Sequence, residues 1–179
     1  MDISGNAVTE TSLGFNMGKK IKLGISSCLL GERVRYDGSH KLDQCLRDAL
    51  GKFVEWVGVC PEVECGLGIP REAMHLVGAA ESPRLVTKVT NIDHTDRMLK
   101  WSEKRLNELK KENISGFIFK NNSPSCGLHK VFHEKGAGIF AMEVIKRFRA
   151  LPTEDEENLK DEAARKKFIE KVSVFQPTV

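Results

Sequence analysis

Short strand-like runs alternate with longer amphipathic segments along most of this chain. The strand-like runs are residues 21–25, 53–59, 84–90 and 116–119. The segments with apolar residues at helical spacing are residues 40–51, 95–113 and 136–149. A strand, a helix and a second strand form the unit from which parallel sheets are built. The order therefore predicts one α/β domain with a mostly parallel sheet flanked by helices, and a ligand site at the carboxyl ends of the strands.

Individual segments predict further details. Residues 53–59 are almost continuously apolar, which is typical of a strand buried on both faces, and residues 84–90 alternate like a strand or one half of a hairpin. Cys45 falls on the apolar stripe of its helix, so we expect a buried core thiol there. The stripes of the next two helices include Leu99 and Ile145, which we also expect to face the interior.

The two ends of the chain differ from its middle. The acidic run Glu154–Glu157 follows Pro152, and acidic residues are favourable at a helix N-terminus, so we expect a charged C-terminal helix from about residue 153. Residues 1–18 have neither the basic start nor the apolar core of a signal peptide. We expect a loose tail over residues 1–18, a single domain over residues 19–179 and a cytoplasmic location.

The composition is that of a soluble globular protein. Of 179 residues, 40% are hydrophobic and 30% are charged, and no apolar run approaches the roughly 20 residues that span a bilayer. The 28 basic and 25 acidic side chains give a formal net charge of +3, and aromatic residues make up 7%. These values exclude a disordered chain and a membrane protein. They also argue against a nucleic-acid surface, which needs stronger positive charge or stacking aromatic rings.

Three of the five cysteines follow strand-like runs. Cys28 comes shortly after the first run, Cys60 directly after the second, and Cys126 follows residues 116–119 through a loop. Because the carboxyl ends of parallel strands share one edge, these thiols can converge without a local motif. An odd number of cysteines does not suggest a disulfide framework, whereas three thiolates at one edge suit a soft metal centre. Cys65 forms a C-x₄-C pair with Cys60, and its role stays open on spacing alone.

Polar side chains close to these cysteines could serve a reaction. Glu62 and Ser123 lie beside the second and third cysteines, and Arg35 and Asp37 follow the first. A carboxylate near a partly desolvated metal centre can act as a general acid or base. Each residue also has a structural alternative, because Glu62 could cap a helix, and Asp-Gly and Ser-Pro pairs commonly form turns.

Three motifs contain the strand-end cysteines. Residues 26–38 read SSCLLGERVRYDG, residues 60–71 read CPEVECGLGIPR, and residues 120–127 read KNNSPSCG. They resemble the motifs of the thiouracil desulfidases, a group within a widespread prokaryotic family. The resemblance runs in order over about residues 20–150, and three separate motifs make it specific.

The resemblance implies a cofactor and a reaction. A [4Fe-4S] cluster would be held by Cys28, Cys60 and Cys126, and its open iron would bind the thiocarbonyl sulfur of the substrate. The implied reaction is non-redox desulfuration of 2-thiouracil or a related thiopyrimidine, which releases uracil and sulfide. The implied catalytic residues are Glu62, Ser123 and Asp37, and the residues expected to bind substrate are Arg35 and Arg71.

Two other function classes fit parts of the sequence. In a non-catalytic metal module, Cys65 would complete a closed Cys₄ zinc site with the three strand-end cysteines. In a protein that acts on thiolated RNA or nucleotides, basic residues would contact phosphate, namely Lys19, Lys20, Arg33, Arg35 and Arg71. No G-x-G-x-x-G follows the first strand, which argues against a dinucleotide-binding fold. The histidines offer no alternative centre, since His75, His94, His129 and His133 share no ligand spacing with an acidic residue.

Overall fold

The structure, a computed structural model, describes residues 20–129 and 136–176. The tail expected over residues 1–18 lies outside these ranges. The elements in chain order are β1 (Ile21–Ser26), α1 (Gln44–Leu50), β2 (Val54–Val59), α2 (Pro61–Glu64), β3 (Met74–Ala79), β4 (Ser82–Thr87), α3 (Thr95–Glu112), β5 (Phe117–Phe119), α4 (Ile139–Arg147), β6 (Thr153–Asp155) and α5 (Glu162–Val174). Short 3₁₀ turns lie at Ser27–Leu30 and Asn158–Lys160. Within the described ranges, no helix combines the length and apolar character needed to cross a membrane.

Four parallel strands form the main sheet, in the order β2-β1-β5-β6. In the strand β1, apolar residues alternate with small or polar ones. The apolar Leu23 and Ile25 are almost completely buried. β5 is buried throughout, and its two phenylalanine rings pack on Phe140 of α4. The predicted α/β domain with a parallel sheet flanked by helices is confirmed.

β3 and β4 form a separate antiparallel hairpin, whose buried side chains pack on α3 and α4. The strand predicted over residues 84–90 is confirmed as one half of this hairpin, although it begins and ends slightly earlier. Its partner β3 was not predicted from the sequence. Leu76 and Leu85, which face each other in the register, form a small core with Met98 of α3. The hairpin thereby covers the N-terminal part of α3.

The prediction that residues 53–59 are buried on both faces is wrong. β2 lies at the edge of the sheet with β1 as its strand neighbour, and only its end residues Val54 and Val59 are buried. Glu55 is exposed and forms an ion pair with Lys22 on β1 at 3.7 Å. An edge strand has one open side, which a continuous apolar run in the sequence does not reveal.

The prediction of a buried Cys45 is also wrong, because this thiol is exposed. α1 begins only after Asp43, whose carboxylate accepts a hydrogen bond from the Leu46 backbone N–H at 2.9 Å. Leu46 and Leu50, one turn apart, form the buried line of the helix. Cys45 lies roughly 100° around the helix from Leu46 and therefore points to the side.

Two further side chains expected to face the interior lie at the margins of their helices. Leu99 is 38% exposed and Ile145 is 42% exposed. In α3 the buried line runs through Met98 and Leu106, and in α4 it includes Val144. Leu99 directly follows the buried Met98, and Ile145 directly follows the buried Val144. One position along a helix corresponds to a rotation of about 100°, which turns each side chain away from the buried line.

The acidic segment after Pro152 is a strand and does not start a helix. β6 pairs in parallel with β5, with Asp155 opposite Phe119. The helix that follows, α5, begins only at Glu162, where the Asp161 carboxylate accepts a hydrogen bond from the Ala164 backbone N–H at 2.7 Å. The predicted start of this helix at about residue 153 is therefore wrong, because residues 153–155 pair with the edge of β5 as a strand.

The N-terminus of α4 holds the loop that carries Cys126. We call residues 120–129 the Cys126 loop. The backbone N–H groups of Ile139 and Phe140 donate to the carbonyls of Pro124 and Ser125 at 3.1 and 3.0 Å. A Cβ atom on Gly138 would lie 2.5 Å from the Ser125 carbonyl carbon, so only glycine permits this close approach.

We expect Gly138→Ala to lower the free energy of unfolding by about 1–3 kcal/mol, because the new methyl group meets rigid backbone. Gly68→Ala is the control, since a Cβ at Gly68 meets nothing closer than 3.8 Å. Urea denaturation of the two variants measures the difference. Equal stabilities would contradict this account of how the Cys126 loop is held.

Candidate active site

A cavity of about 290 Å³ opens at the carboxyl edge of the main sheet. Its walls come from the ends of β1, β2 and β5 and from the segment before β3. The lining includes Cys28, Cys60, Cys126, Glu62, Arg71 and Ser123. We call this space the cysteine cavity. The predicted convergence of the three strand-end cysteines is therefore present in the structure.

Burial makes these three thiols hard to ionise without a cation. It raises the pKa of Cys28 and of Cys60 to about 11. The pKa of Cys126 is raised well above the usual value, first by burial and then by negative charge at Cys60 and Cys28. Metal binding requires the thiolate, so a positively charged centre has to replace three protons here. Three soft sulfur donors in one desolvated cavity fit an iron–sulfur cluster.

The spacing of the sulfur atoms bears on the kind of metal centre. Among the described residues, the groups whose ligand atoms all lie within 4.8 Å of one another do not include the three cysteines. A single tetrahedral zinc ion with Zn–S bonds of about 2.3 Å holds its sulfur atoms about 3.8 Å apart. The sulfurs of Cys28, Cys60 and Cys126 are thus spread more widely than one zinc ion requires.

Cys65 is separate from this group. It does not line the cysteine cavity. Its thiol donates to the Glu62 carbonyl at 3.3 Å, and its side chain packs against the small core of the hairpin. The structure does not bring it into position as a fourth ligand.

Glu62 is held firmly in the wall of the cavity. Its Oε2 accepts a hydrogen bond from Arg71 Nε at 2.8 Å and forms an ion pair with a terminal nitrogen of the same guanidinium at 2.6 Å. Its Oε1 accepts a hydrogen bond from the Ser125 hydroxyl at 2.9 Å. The side chains of Glu62 and Arg71 are 14% and 9% exposed, so this ion pair is largely desolvated. Such a pair fixes the carboxylate in orientation as well as in charge.

Arg71, predicted to bind substrate, uses several of its donors inside the protein. Besides Glu62, it donates to the Val34 carbonyl at 2.9 Å and to the Gly68 carbonyl at 3.2 Å. This bonding makes the guanidinium a brace between three segments of chain.

The Ser123 hydroxyl has an unusually defined role for a serine at a cavity wall. Its oxygen accepts hydrogen bonds from the backbone N–H groups of Cys126 at 3.0 Å and Ser125 at 3.3 Å. A serine hydroxyl has two acceptor lone pairs and one donor proton. With both lone pairs used by the loop, the hydroxyl can act towards the cavity only as a donor.

Arg35 lines the cysteine cavity, whereas Asp37 does not. Asp37 accepts hydrogen bonds from the backbone N–H of Ser39 at 3.0 Å and from its hydroxyl at 2.6 Å. These two bonds lower the pKa of the Asp37 carboxyl. Its link to the cavity is an ion pair with Arg35 at 3.8 Å. Its catalytic role stays a prediction.

Two residues of the site were missed from the sequence. Lys120 lines the cavity and forms a buried ion pair with Glu156. It directly follows β5, so the same strand-end argument that selected the cysteines would have selected it. Ser125, the buried partner of Glu62, had no such signal, because 63 residues separate the two in the sequence.

Known proteins give this geometry a context. A model of the 2-thiouracil desulfurase family matches residues 23–156, a range that contains all three cysteines of the cavity. The chain belongs to this family. Its resemblance to the thiouracil desulfidases, noted from three motifs, is therefore confirmed.

Two relatives illustrate the family. The chain is 31% identical over 119 residues to the uncharacterized protein YbbK of Bacillus subtilis (strain 168). This match covers 64% of this chain and 78% of YbbK. It is also similar in structure to a [4Fe-4S]-dependent thiouracil desulfidase, TudS, with a TM-score of 0.66 and 30% sequence identity. That likeness covers 82% of this chain and 97% of TudS.

In the metal-free protein at neutral pH, we expect Cys45 to react with iodoacetamide well before Cys28 and Cys126. Cys45 is exposed, whereas the other two are buried thiols whose raised pKa leaves little thiolate at neutral pH. Labelling of Cys28 should accelerate as the pH approaches about 11, since the reactive thiolate then forms. Peptide mass spectrometry over time measures the order, and fast labelling of Cys28 at neutral pH would contradict it.

Proposed function

We propose that the chain is a [4Fe-4S]-dependent thiouracil desulfidase whose cluster ligands are Cys28, Cys60 and Cys126. The observation that carries the proposal is the meeting of these three thiols with an oriented carboxylate in one desolvated cavity. The family match and the structural likeness to TudS support it. The proposed reaction exchanges the C=S bond of the substrate for C=O with water and releases sulfide, without oxidation or reduction.

The donor set defines what the cofactor would contribute. When bound by three protein thiolates, a [4Fe-4S] cluster supplies one iron without a protein ligand as a Lewis acid for the thiocarbonyl sulfur. The remaining work of activating water and moving protons falls to side chains of this chain.

We assign the activation of the attacking water to Glu62. Arg71 occupies Oε2, whereas Oε1 accepts one hydrogen bond from Ser125 and keeps a further lone pair. That lone pair can take a proton from water in the cavity. Because Arg71 and Ser125 hold the carboxylate from two sides, little reorganisation is needed when the proton transfers. We therefore assign Arg71 and Ser125 to positioning the base.

Ser123 is placed to donate a proton or a hydrogen bond to the substrate. Both of its lone pairs accept hydrogen bonds from the backbone of the Cys126 loop. Its O–H proton is therefore available for an acceptor on the substrate. A ring nitrogen or carbonyl oxygen of a thiopyrimidine is such an acceptor. Arg35, which also lines the cavity, can contact a carbonyl oxygen at the rim.

The first experiment concerns the ligands. After anaerobic reconstitution with iron and sulfide, we expect Cys28→Ser, Cys60→Ser and Cys126→Ser to lose the brown cluster. Cys45→Ser and Cys65→Ser are matched controls and should retain it, because neither thiol lines the cavity. Iron, acid-labile sulfide and visible absorption are measured on the same samples. Stoichiometric zinc without sulfide in the wild type, or cluster loss in Cys65→Ser with retention in Cys60→Ser, would overturn the assignment.

The second experiment concerns proton transfer. With iron content unchanged, we expect Glu62→Gln and Ser123→Ala to slow the release of sulfide from 2-thiouracil by ~10²–10⁴-fold, the usual contribution of a positioned acid or base. Glu170→Gln and Ser173→Ala on α5 are the matched controls and should keep the wild-type rate. Single-turnover assays of sulfide and uracil measure the effect. Wild-type rates in both Glu62→Gln and Ser123→Ala would move the proton transfers to other residues.

A further inference from the structure

A second group of metal-ligating side chains lies outside the cysteine cavity. Ligand atoms of His129, Glu154 and Asp155 all lie within 4.8 Å of one another. The sequence showed no ligand spacing between His129 and an acidic residue, because the fold and not the local sequence brings these groups together. The group forms because β6 lies beside β5, whose carboxyl end leads into the Cys126 loop.

These three groups face one another without bonding to one another. Within the described parts of the chain, no hydrogen bond or ion pair joins His129 to either carboxylate. Glu154 Oε1 accepts from the Asp155 backbone N–H at 3.1 Å, and Asp155 Oδ1 accepts from the Asn158 backbone N–H at 2.9 Å. The remaining oxygens of the two carboxylates are not among the buried polar atoms that lack a partner, so they are open to solvent, from which an ion can reach them.

The charge of Asp155 makes the missing partner significant. Asp155 is only 5% exposed, and no lysine or arginine in the described ranges forms an ion pair with it or with Glu154. Its neighbour Glu156 is equally buried, at 4% exposed, but forms an ion pair with Lys120 and accepts from the Asn121 backbone N–H at 2.6 Å. A buried carboxylate is costly unless a cation or several donors compensate it. Glu156 has such a cation in Lys120, whereas Asp155 has one backbone donor at Oδ1 and no ion pair with a lysine or arginine of the described ranges.

We propose that His129, Glu154 and Asp155 bind one divalent first-row transition-metal ion. An imidazole nitrogen favours Fe²⁺ or Zn²⁺ over Mg²⁺ and Ca²⁺, which prefer oxygen donors, and Mn²⁺ suits the two carboxylates. Two carboxylates balance the charge of the ion. Ligands bound at about 2.1 Å to one ion lie about 3.0–4.2 Å apart, so the observed spread needs only a small inward movement. The exposed His129 side chain is free to make it.

The proposed ion would connect the cluster-binding segment to the sheet. His129 lies three residues after Cys126, and both carboxylates belong to β6. Its role is structural and independent of the desulfidase reaction, because none of its ligands lines the cysteine cavity.

Mn²⁺ is the probe, because its affinity for thiolates is low and its free ion gives a six-line EPR signal. Cluster-loaded wild-type protein should remove one equivalent of this signal per chain. His129→Ala and Asp155→Asn should weaken binding at least tenfold. His94→Ala and Glu157→Gln, which change a histidine and a carboxylate outside the group, should bind as the wild type does.

Further variants separate this site from the cluster and from folding. A cluster-free Cys28→Ser variant should bind Mn²⁺ as the wild type does, so failure of the proposed function would leave this result unchanged. If Asp155→Asn does not fold, Glu154→Gln and His129→Ala carry the test, since His129 is exposed. No signal loss at millimolar Mn²⁺, or equal binding by the wild type and His129→Ala, would overturn the proposal.

Discussion

Parallel pairing of β1 with β2 on one side and β5 on the other is the constraint on which the site depends. It places three strand ends at one edge of the sheet, and each end leads into a segment that carries one of the three cavity cysteines. The three thiols therefore meet although 98 positions separate the first from the last. No local chelating motif is needed, since the sheet itself sets the distances between the ligand-bearing loops.

Desolvation in the cysteine cavity acts on its groups in different ways. Burial raises the pKa of the Cys28 and Cys60 thiols, so they become metal-binding thiolates only when a cation compensates the charge. Glu62, in contrast, is compensated within the protein by Arg71 and Ser125. The same low-polarity setting thus leaves the thiols dependent on a metal centre while keeping an oriented carboxylate beside them. The proposed reaction relies on this difference between the thiols and the carboxylate.

The sequence was informative where one local pattern decides the outcome. Period and apolar runs predicted β1, β5 and α3, and the strand-end argument predicted the meeting of the cysteines. Prediction from the sequence failed where contacts with a neighbouring element determine the structure. The Thr153–Asp155 segment has no strand pattern of its own and becomes a strand because β5 offers a free edge. Cys45 depends on where its helix begins, and the Ser125–Glu62 bond joins residues far apart in the sequence.

The hydrogen bonds between α4 and the Cys126 loop have a consequence for cofactor binding. The carbonyls of Pro124 and Ser125 are held by backbone N–H groups of the first turn of α4, so the position of Cys126 depends on a folded and docked helix. The complete sulfur set therefore exists only in the folded chain, and an unfolded chain offers isolated thiols without chelation. By linkage, whatever free energy the metal centre gains on binding is added to the stability of the whole domain.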